Sequence, residues 1–379
     1  MRLALAGGGT GGHIYPAIAV VEALHEGGNE PADVLWLGVP SGLEEESARA
    51  RGWQFAPVRA GKVRGMGVRA PFAGVEGLAS AWAASRHLRR FRADVLLATG
   101  GYVSVPSVLG ARMAGVPSVV YLPDVEPGWA VRFSRRFADV VAVTCERSRR
   151  YLGGSRVVVT GYPVRSSFVS GSREQARRRL ELDSRPAVLA LGGSLGARSI
   201  NEAVLRWAPQ WTPRFQVLHV SGRRDYTWVK DAAKSAGLVH GEGGYCLYEY
   251  LEDMAAAMLA ADLVVSRAGA STLGELTAAG KPGLVVPYPY SGAHQRQNAL
   301  YLVEEGAAIM LEDAEVRERL GPEVSRLLGD ERTLLNMAER SLSLARPEAA
   351  HALAELVVST SRKRASRVMP TLAHEDRVV

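Results

Sequence analysis

The stretch DLVVSRAGASTLGELTAAGKPGLVVPYPYSGAHQRQN, residues 262–298, decides how the rest of the chain is read. Its apolar run at 262–265 has the continuous hydrophobicity of a strand buried on both faces. Ala268, Gly269 and Ala270 are small enough to turn the chain at once into a helix, expected to start near Ser271 or Thr272. Gly280 and Pro282 end that helix. A strand end feeding a helix amino terminus presents backbone N–H groups and the positive end of the helix dipole, which suits an anion such as a diphosphate. Glu275, expected in the first turn, has the chemistry to accept hydrogen bonds from vicinal hydroxyls, as acidic residues do from ribose. Thr272 and Glu275 also have the spacing of a capping box, which alone would account for both. A second, proline-punctuated strand at 284–286 leads through a polar loop to His294, Gln295 and Asn298, so two neighbouring strand ends converge on one place.

Around that stretch lie 379 residues, too many for one comfortable core, so two domains are expected. Short Val/Leu/Ala runs alternate with helical periods throughout, which argues for an α/β protein with parallel sheets covered on both faces. The net charge of +7, from 46 Lys and Arg against 39 acids, points to an anionic substrate, an anionic membrane or nucleic acid. No basic stripe is interleaved with aromatic residues, so no nucleic acid partner is expected. Cys145 and Cys246 match no zinc or redox spacing, read as core thiols, and fit a reducing cytoplasm. The apolar start at residues 3–6 breaks into glycines too early for a signal peptide, and no stretch reaches the roughly 20 apolar residues of a spanning helix. Any membrane contact is therefore expected to be peripheral.

The amino-terminal half begins with the same device as the opening stretch. A strand at 3–6 enters GGGTGGH (residues 7–13) and then a helix to about Glu26, with Ile14, Ala17, Ile18, Val21 and Leu24 on one side. By its mechanics the loop reads as a glycine-rich anion cradle. Gly7, Gly9 and Gly12 satisfy the dinucleotide pattern, but the next strand ends in Gly38, Val39 and Pro40 with no carboxylate placed for an adenosine ribose. That counts against a nicotinamide or flavin enzyme. Lys62, Arg64 and Arg69 lie in a glycine-rich loop, followed by Phe72, Leu78, Trp82, Leu88 and Phe91 with Arg86, Arg89, Arg90 and Arg92. This segment is either a surface for an anionic bilayer or a solvated helix face with its apolar side in the core. Strands at 95–98 and 119–122 end in TGGYVS (99–104) and PDVEPG (123–128), both expected to point at a cleft.

The turn-rich GYPVRSSFVSGS (161–172) marks the domain boundary, giving a first domain at 1–163 and a second at 164–345. AVLALGGSLGARSINEAVLRWA (187–208) then repeats the strand, turn and helix of residues 3–24, so the chain reads as two similar doubly wound halves facing each other. Residues 346–361 are expected as a terminal helix returning to the first domain, and 362–379 as a disordered basic tail.

Seven segments fall in one order: GGTGGH (8–13), GGYVS (100–104), PVR (163–165), GGSLGA (192–197), YLEDMAAA (250–257), SRAGASTLGE (266–275) and HQRQNA (294–299). Over about residues 2–345 this pattern resembles the GT-B glycosyltransferases of family 28, two facing Rossmann-like domains with a cleft between them. The resemblance implies an inverting transferase that moves N-acetylglucosamine from UDP-N-acetylglucosamine to the muramoyl 4-hydroxyl of undecaprenyl-diphosphate-linked muramoyl-pentapeptide. It would work at the anionic inner face of the cytoplasmic membrane, with no cofactor. Carried over by position, Leu251 contacts uracil, and Ala270, Ser271, Thr272, Leu273, Gly274 and Glu275 form the ribose and diphosphate cradle. Arg165 and Ser194 hold the diphosphate, and His294 with Gln295 the sugar hydroxyls. Thr10, Gly11 and Gly12 line the acceptor side. Four departures from the family pattern stand out: Tyr121, Leu122, Pro123 and Asp124 stand where His-Glu-Gln-Asn is usual, Val105 for Gly, Tyr162 for Asn and Leu195 for Gln.

Transfer to a hydroxyl needs a base and compensation for charge on the leaving UDP. The sequence has no Asp-x-Asp pair, so no metal is expected; Arg165 and the helix amino termini at Ser194 and Ser271 take that role. His13, at the end of the GGTGGH turn, is the expected base, with Asp124 as the competing residue. Other readings are a diacylglycerol-type lipid transferase, a UDP-N-acetylglucosamine 2-epimerase, and a non-catalytic sugar-nucleotide sensor.

Overall fold

The computed structural model describes residues 1–59, 70–153, 156–193, 195–290 and 294–368. The chain divides into two compact units, Met1–Pro163 with Glu348–Val379, and Val164–Pro347. The first is built on strands β1 (Arg2–Gly7), β2 (Asp33–Gly38), β3 (Gln54–Pro57), β4 (Val95–Gly100), β5 (Ser118–Leu122), β6 (Val140–Val143) and β7 (Val157–Val159). The second carries β8 (Ala187–Leu191), β9 (Gln216–Val220), β10 (Tyr245–Tyr248), β11 (Leu263–Arg267), β12 (Gly283–Val286) and β13 (Ala308–Met310). Every pairing is parallel, which requires a crossover between each strand and the next. Runs such as Ala187–Leu191 are buried at every position because helices cover both faces of the sheet.

Strand order is β3-β2-β1-β4-β5-β6-β7 in one sheet and β10-β9-β8-β11-β12-β13 in the other. The direction of winding reverses between β1 and β4, and again between β8 and β11. In open α/β sheets the crevice for a ligand opens at the carboxyl ends of two such strands. Those ends are the glycine loop at 8–12 with Gly100 in the first unit, and the loops at 192–197 and 268–269 in the second.

Helix Gly11–Glu26 buries Ile14, Ala17, Ile18, Val21 and Leu24, the stripe read from the sequence. The chain closes with helix Ala349–Val368, which packs on helix Gly11–Glu26 and on β4 and β5. Ala349, Ala350, Leu353, Ala354 and Val357 are buried by it. This helix continues to Val368, past Arg362, where the sequence suggested a disordered tail. Among the described residues no helix is long and apolar enough to cross a membrane. The basic loop with Lys62, Arg64 and Arg69 lies outside the described residues.

Candidate active site

In the second unit, β11 ends at Arg267 and helix Ala270–Ala278 begins three residues later, with Gly269 as its N-cap and no side-chain cap. The capping-box reading fails: Thr272 is already the third helical residue, and its hydroxyl donates to the carbonyl of Arg267 at 2.9 Å. Glu275 consequently stands on the second turn, not the first. With no side-chain oxygen over the amino terminus, the N–H groups of Ala270 and Ser271 stay available to a ligand. Asn298 fixes the turn from below, its amide donating to the carbonyl of Ala268 at 3.0 Å from a fully buried position.

Desolvation pushes the Glu275 carboxyl up to about 7, while the guanidinium of Arg165 pulls it back. Two residues assigned separately from sequence are thus within electrostatic reach of each other. The Arg165 guanidinium lies over the Phe168 ring at 5.4 Å, which directs it from the start of the unit toward helix Ala270–Ala278. Two more polar atoms here are buried with no hydrogen-bond partner among the described residues, Ser266 Oγ and His294 Nδ1. Unsatisfied buried polar atoms cost stability and cluster where a ligand completes them. Gln295 differs from expectation in part, since its Oε1 already accepts the Tyr288 N–H at 2.9 Å. Leu273 and Gly274 are buried within this helix. Leu251 is half-buried in the turn before helix Met254–Ala260, which Asp253 caps by accepting from Ala256 N at 3.1 Å. Ser194 lies outside the described residues. Its loop is set by Gly196, at φ 90°, where a Cβ would meet the Ser221 carbonyl at 2.2 Å.

Arg267 was not anticipated. Its guanidinium donates to Asp313 Oδ1 at 2.5 Å and to Ser199 Oγ at 3.0 Å, binding β11 to helix Arg198–Trp211.

In the first unit His13 is held on three sides. Its Nδ1 lies 3.1 Å from the Gly8 carbonyl and 3.3 Å from Thr10 Oγ1. Its own carbonyl accepts from Thr99 Oγ1 at 2.5 Å. Gly100, at φ 118°, lets the ring lie flat against β4, where a Cβ would come within 2.5 Å of Cδ2. A carbonyl only accepts, so Nδ1 carries the proton and Nε2 keeps an open lone pair. The neighbour-carbonyl bond and the base role are therefore compatible. Gly11 sits where a Cβ would strike the Tyr15 ring, and the Gly12 carbonyl accepts from the Tyr162 hydroxyl at 3.3 Å.

One N–H of this loop is already engaged within the chain: the Glu44 carboxylate, 1% exposed, accepts from Gly9 N at 3.4 Å and from Val39 N at 3.0 Å. Asp124, half-buried after β5, sits with β4 between its strand and β1, two strand spacings or roughly 10 Å from the His13 strand. Tyr121 is a core residue whose hydroxyl donates to the Gly161 carbonyl at 3.1 Å and meets Thr144 Oγ1 at 3.0 Å. Burial, with a smaller push from Asp124, raises its phenol well above the usual tyrosine range. Its ring meets that of Tyr162 edge-on at 6.3 Å, so two of the four departures from the family pattern form one contact.

Two doubly wound parallel-sheet units, each with a crevice where the winding reverses, define a GT-B-like architecture. Residues 3–143 match the glycosyltransferase family 28 N-terminal domain and residues 187–354 the glycosyltransferase family 28 C-terminal domain. The chain belongs to glycosyltransferase family 28. It is 38% identical, over 94% of each chain, to the UDP-N-acetylglucosamine--N-acetylmuramyl-(pentapeptide) pyrophosphoryl-undecaprenol N-acetylglucosamine transferase of Roseiflexus sp. strain RS-1. Among solved structures it is similar to Acinetobacter baumannii MurG, with a TM-score of 0.73 and 26% identity over 94% of this chain and 99% of that one. A putative UDP-N-acetylglucosamine 2-epimerase from Listeria monocytogenes shares the fold alone, with a TM-score of 0.69 and 14% identity over 100% and 99% of the two chains.

Proposed function

We propose that the chain transfers N-acetylglucosamine from UDP-N-acetylglucosamine to the muramoyl 4-hydroxyl of undecaprenyl-diphosphate-linked muramoyl-pentapeptide. The observation that carries this reading is the Glu275–Arg165 pair beside an uncapped helix amino terminus. Ribose hydroxyls donate to the Glu275 carboxylate and restore the solvation it lost, while Arg165 and the N–H groups of Ala270 and Ser271 take the diphosphate. His294 and Gln295 take the sugar hydroxyls.

The acceptor hydroxyl gives its proton to Nε2 of His13 as its oxygen attacks the anomeric carbon. The bond from that carbon to the UDP oxygen breaks on the opposite face, so one displacement inverts the centre. Negative charge left on UDP is met by Arg165 and the helix dipole, a role that in this sequence needs no metal. Asp124 is the alternative proton acceptor or a hydrogen-bond partner for the acceptor. Attachment to the anionic inner face of the cytoplasmic membrane is supported by helix Ala70–Phe91, where Leu78 is 66% and Trp82 56% exposed, one turn apart, with Arg86 over the Trp82 ring at 4.8 Å.

Incubation with labelled UDP-N-acetylglucosamine and the lipid-linked acceptor, followed by product separation, tests the reading. Glycolipid and UDP are expected, and release of the 2-epimer without acceptor consumption would sink it. His13→Ala should lower turnover by roughly 10²- to 10⁴-fold with donor affinity kept. Wild-type turnover in His13→Ala, with loss in Asp124→Asn, would reverse their roles.

A further inference from the structure

We propose that Glu44 is a positioning residue for His13, acting through the single peptide group that joins Gly8 to Gly9. The proposal rests on the reading of His13 as the base. The N–H of that peptide belongs to Gly9 and points at Glu44 Oε2, 3.4 Å away. The C=O of the same peptide belongs to Gly8 and accepts from His13 Nδ1, 3.1 Å away. In a trans peptide these two groups lie in one rigid plane and point in opposite directions. Carboxylate, peptide and imidazole therefore form a chain in which each hydrogen bond polarises the next. A carboxylate on the N–H side makes the Gly8 oxygen a stronger acceptor. That oxygen then holds Nδ1–H more firmly, leaves the lone pair on Nε2 and stabilises the imidazolium formed when Nε2 takes a proton.

The surroundings are built for this chain of contacts. Glu44 is enclosed by glycines: a Cβ on Gly8 would lie 2.3 Å from its Oε1, one on Gly38 2.5 Å from its Cγ, and one on Gly42 2.7 Å from its Oε2. Its second oxygen is fixed by Val39 N at 3.0 Å, so the carboxylate cannot swing away. From the other side Gly101, at φ 79°, presses on the same peptide, where a Cβ would sit 2.6 Å from the Gly8 oxygen. Trp36 Nε1 donates to the Gly7 carbonyl at 2.9 Å and fixes the residue before it.

The elements packed on helix Gly11–Glu26 bring few other ionisable groups to His13. Among the described residues β4 contributes Thr99 and Gly100, and Tyr162 bonds Gly12. Tyr15 lies against Gly11 on the same helix. Arg2 is at the far end of β1, and His351 of the terminal helix pairs with Glu26 at the far end of helix Gly11–Glu26. Glu45 and Glu46, beside Glu44, are engaged by Ser41 N and Arg49, or lie along the outer face of their helix. Glu44 is therefore the charge linked to the imidazole by hydrogen bonds.

The test follows the imidazole nitrogens of His13 by ¹⁵N NMR in the full chain, with His13→Gln assigning the signals. Wild type should show the Nδ1–H tautomer. In Glu44→Gln the side chain keeps its shape and loses its charge. The His13 ring should then protonate at lower pH and show a mixed tautomer, with turnover down roughly tenfold and donor KM unchanged. Glu44→Asp, which keeps the charge, should lie nearer wild type than Gln does. Identical His13 signals in wild type and Glu44→Gln, or identical behaviour of Gln and Asp variants, would overturn the proposal. A shifted imidazole with wild-type turnover would keep the Glu44–His13 link and instead remove His13 from the role of base.

Discussion

Glu275 carries a carboxyl whose burial costs the folded chain stability. Its carboxyl has an ordinary value of 4.5 and is pushed up to about 7 in the folded chain, chiefly by desolvation. Between those two values the folded state binds more proton than the unfolded one, so stability falls as pH rises through that window. Glu275→Gln should therefore be more stable than wild type by roughly 1 to 3 kcal/mol at pH 8 and lose that advantage near pH 4. Urea unfolding at the two pH values measures it, and equal stability at both would show that the carboxyl is solvated. The same variant should bind UDP more weakly by roughly 1.5 to 3 kcal/mol, because a charged acceptor is gone. In the sequence Glu275 was visible as an acidic residue near a helix start. Its coupling to Arg165, 110 positions earlier, was not, because chain separation carries no distance information.

At the scale of elements, each site group sits where a strand ends and a helix begins. The strand at 262–265 and the glycine-to-helix turns were legible because apolar runs and small residues have direct backbone consequences. Strands β3, β6 and β13, of three or four residues, went unread, whereas β12, equally short, was marked by the Pro282 and Pro287 that flank it. Helix Ala70–Phe91 left two readings open in the sequence, and its burial pattern bears on both. Ala81, Ala84 and Leu88 are buried on the side that packs on helix Ser104–Ala114, while Leu78 and Trp82 stay exposed. Replacing Leu78 and Trp82 by Ser should weaken co-sedimentation with anionic vesicles by roughly tenfold or more, as burial of such side chains contributes about 1.5 to 3 kcal/mol each. Binding should also weaken with added salt, since surface charge acts within a Debye length. Unchanged sedimentation of the double variant would leave this stripe as ordinary solvated surface.

For the whole molecule, the chain crosses from the first unit to the second at residues 163 and 164 and returns at 347 and 348. The terminal helix belongs to the first core, where it buries Ala349, Ala350, Leu353, Ala354 and Val357. Ending the chain at Pro347 should cost the first unit roughly 5 kcal/mol or more, near the whole stability of a domain. The second unit, with its own sheet and core, should still fold and bind UDP. Calorimetry of the shortened chain should show one lost unfolding transition and retained UDP binding. Two transitions at wild-type temperatures would mean the helix is dispensable.

By itself the sequence determined the α/β class, the duplicated doubly wound plan and the loops that carry the site, because these follow from local periodicity and from where glycine is tolerated. It also exposed His13, Glu275 and Arg165 as candidates. Tertiary structure alone decided what those residues touch. Thr272 left the cap position because β11 runs on to Arg267, whose carbonyl takes the hydroxyl. Glu44 became the internal partner of the glycine loop because parallel pairing of β1 with β2 brings the ends of those two strands together. Tyr121 and Tyr162, 41 residues apart in the chain, met because β5 ends beside the segment that leaves β7. Such contacts depend on strand order and register, which are set by packing across the whole sheet and leave no local mark on the chain.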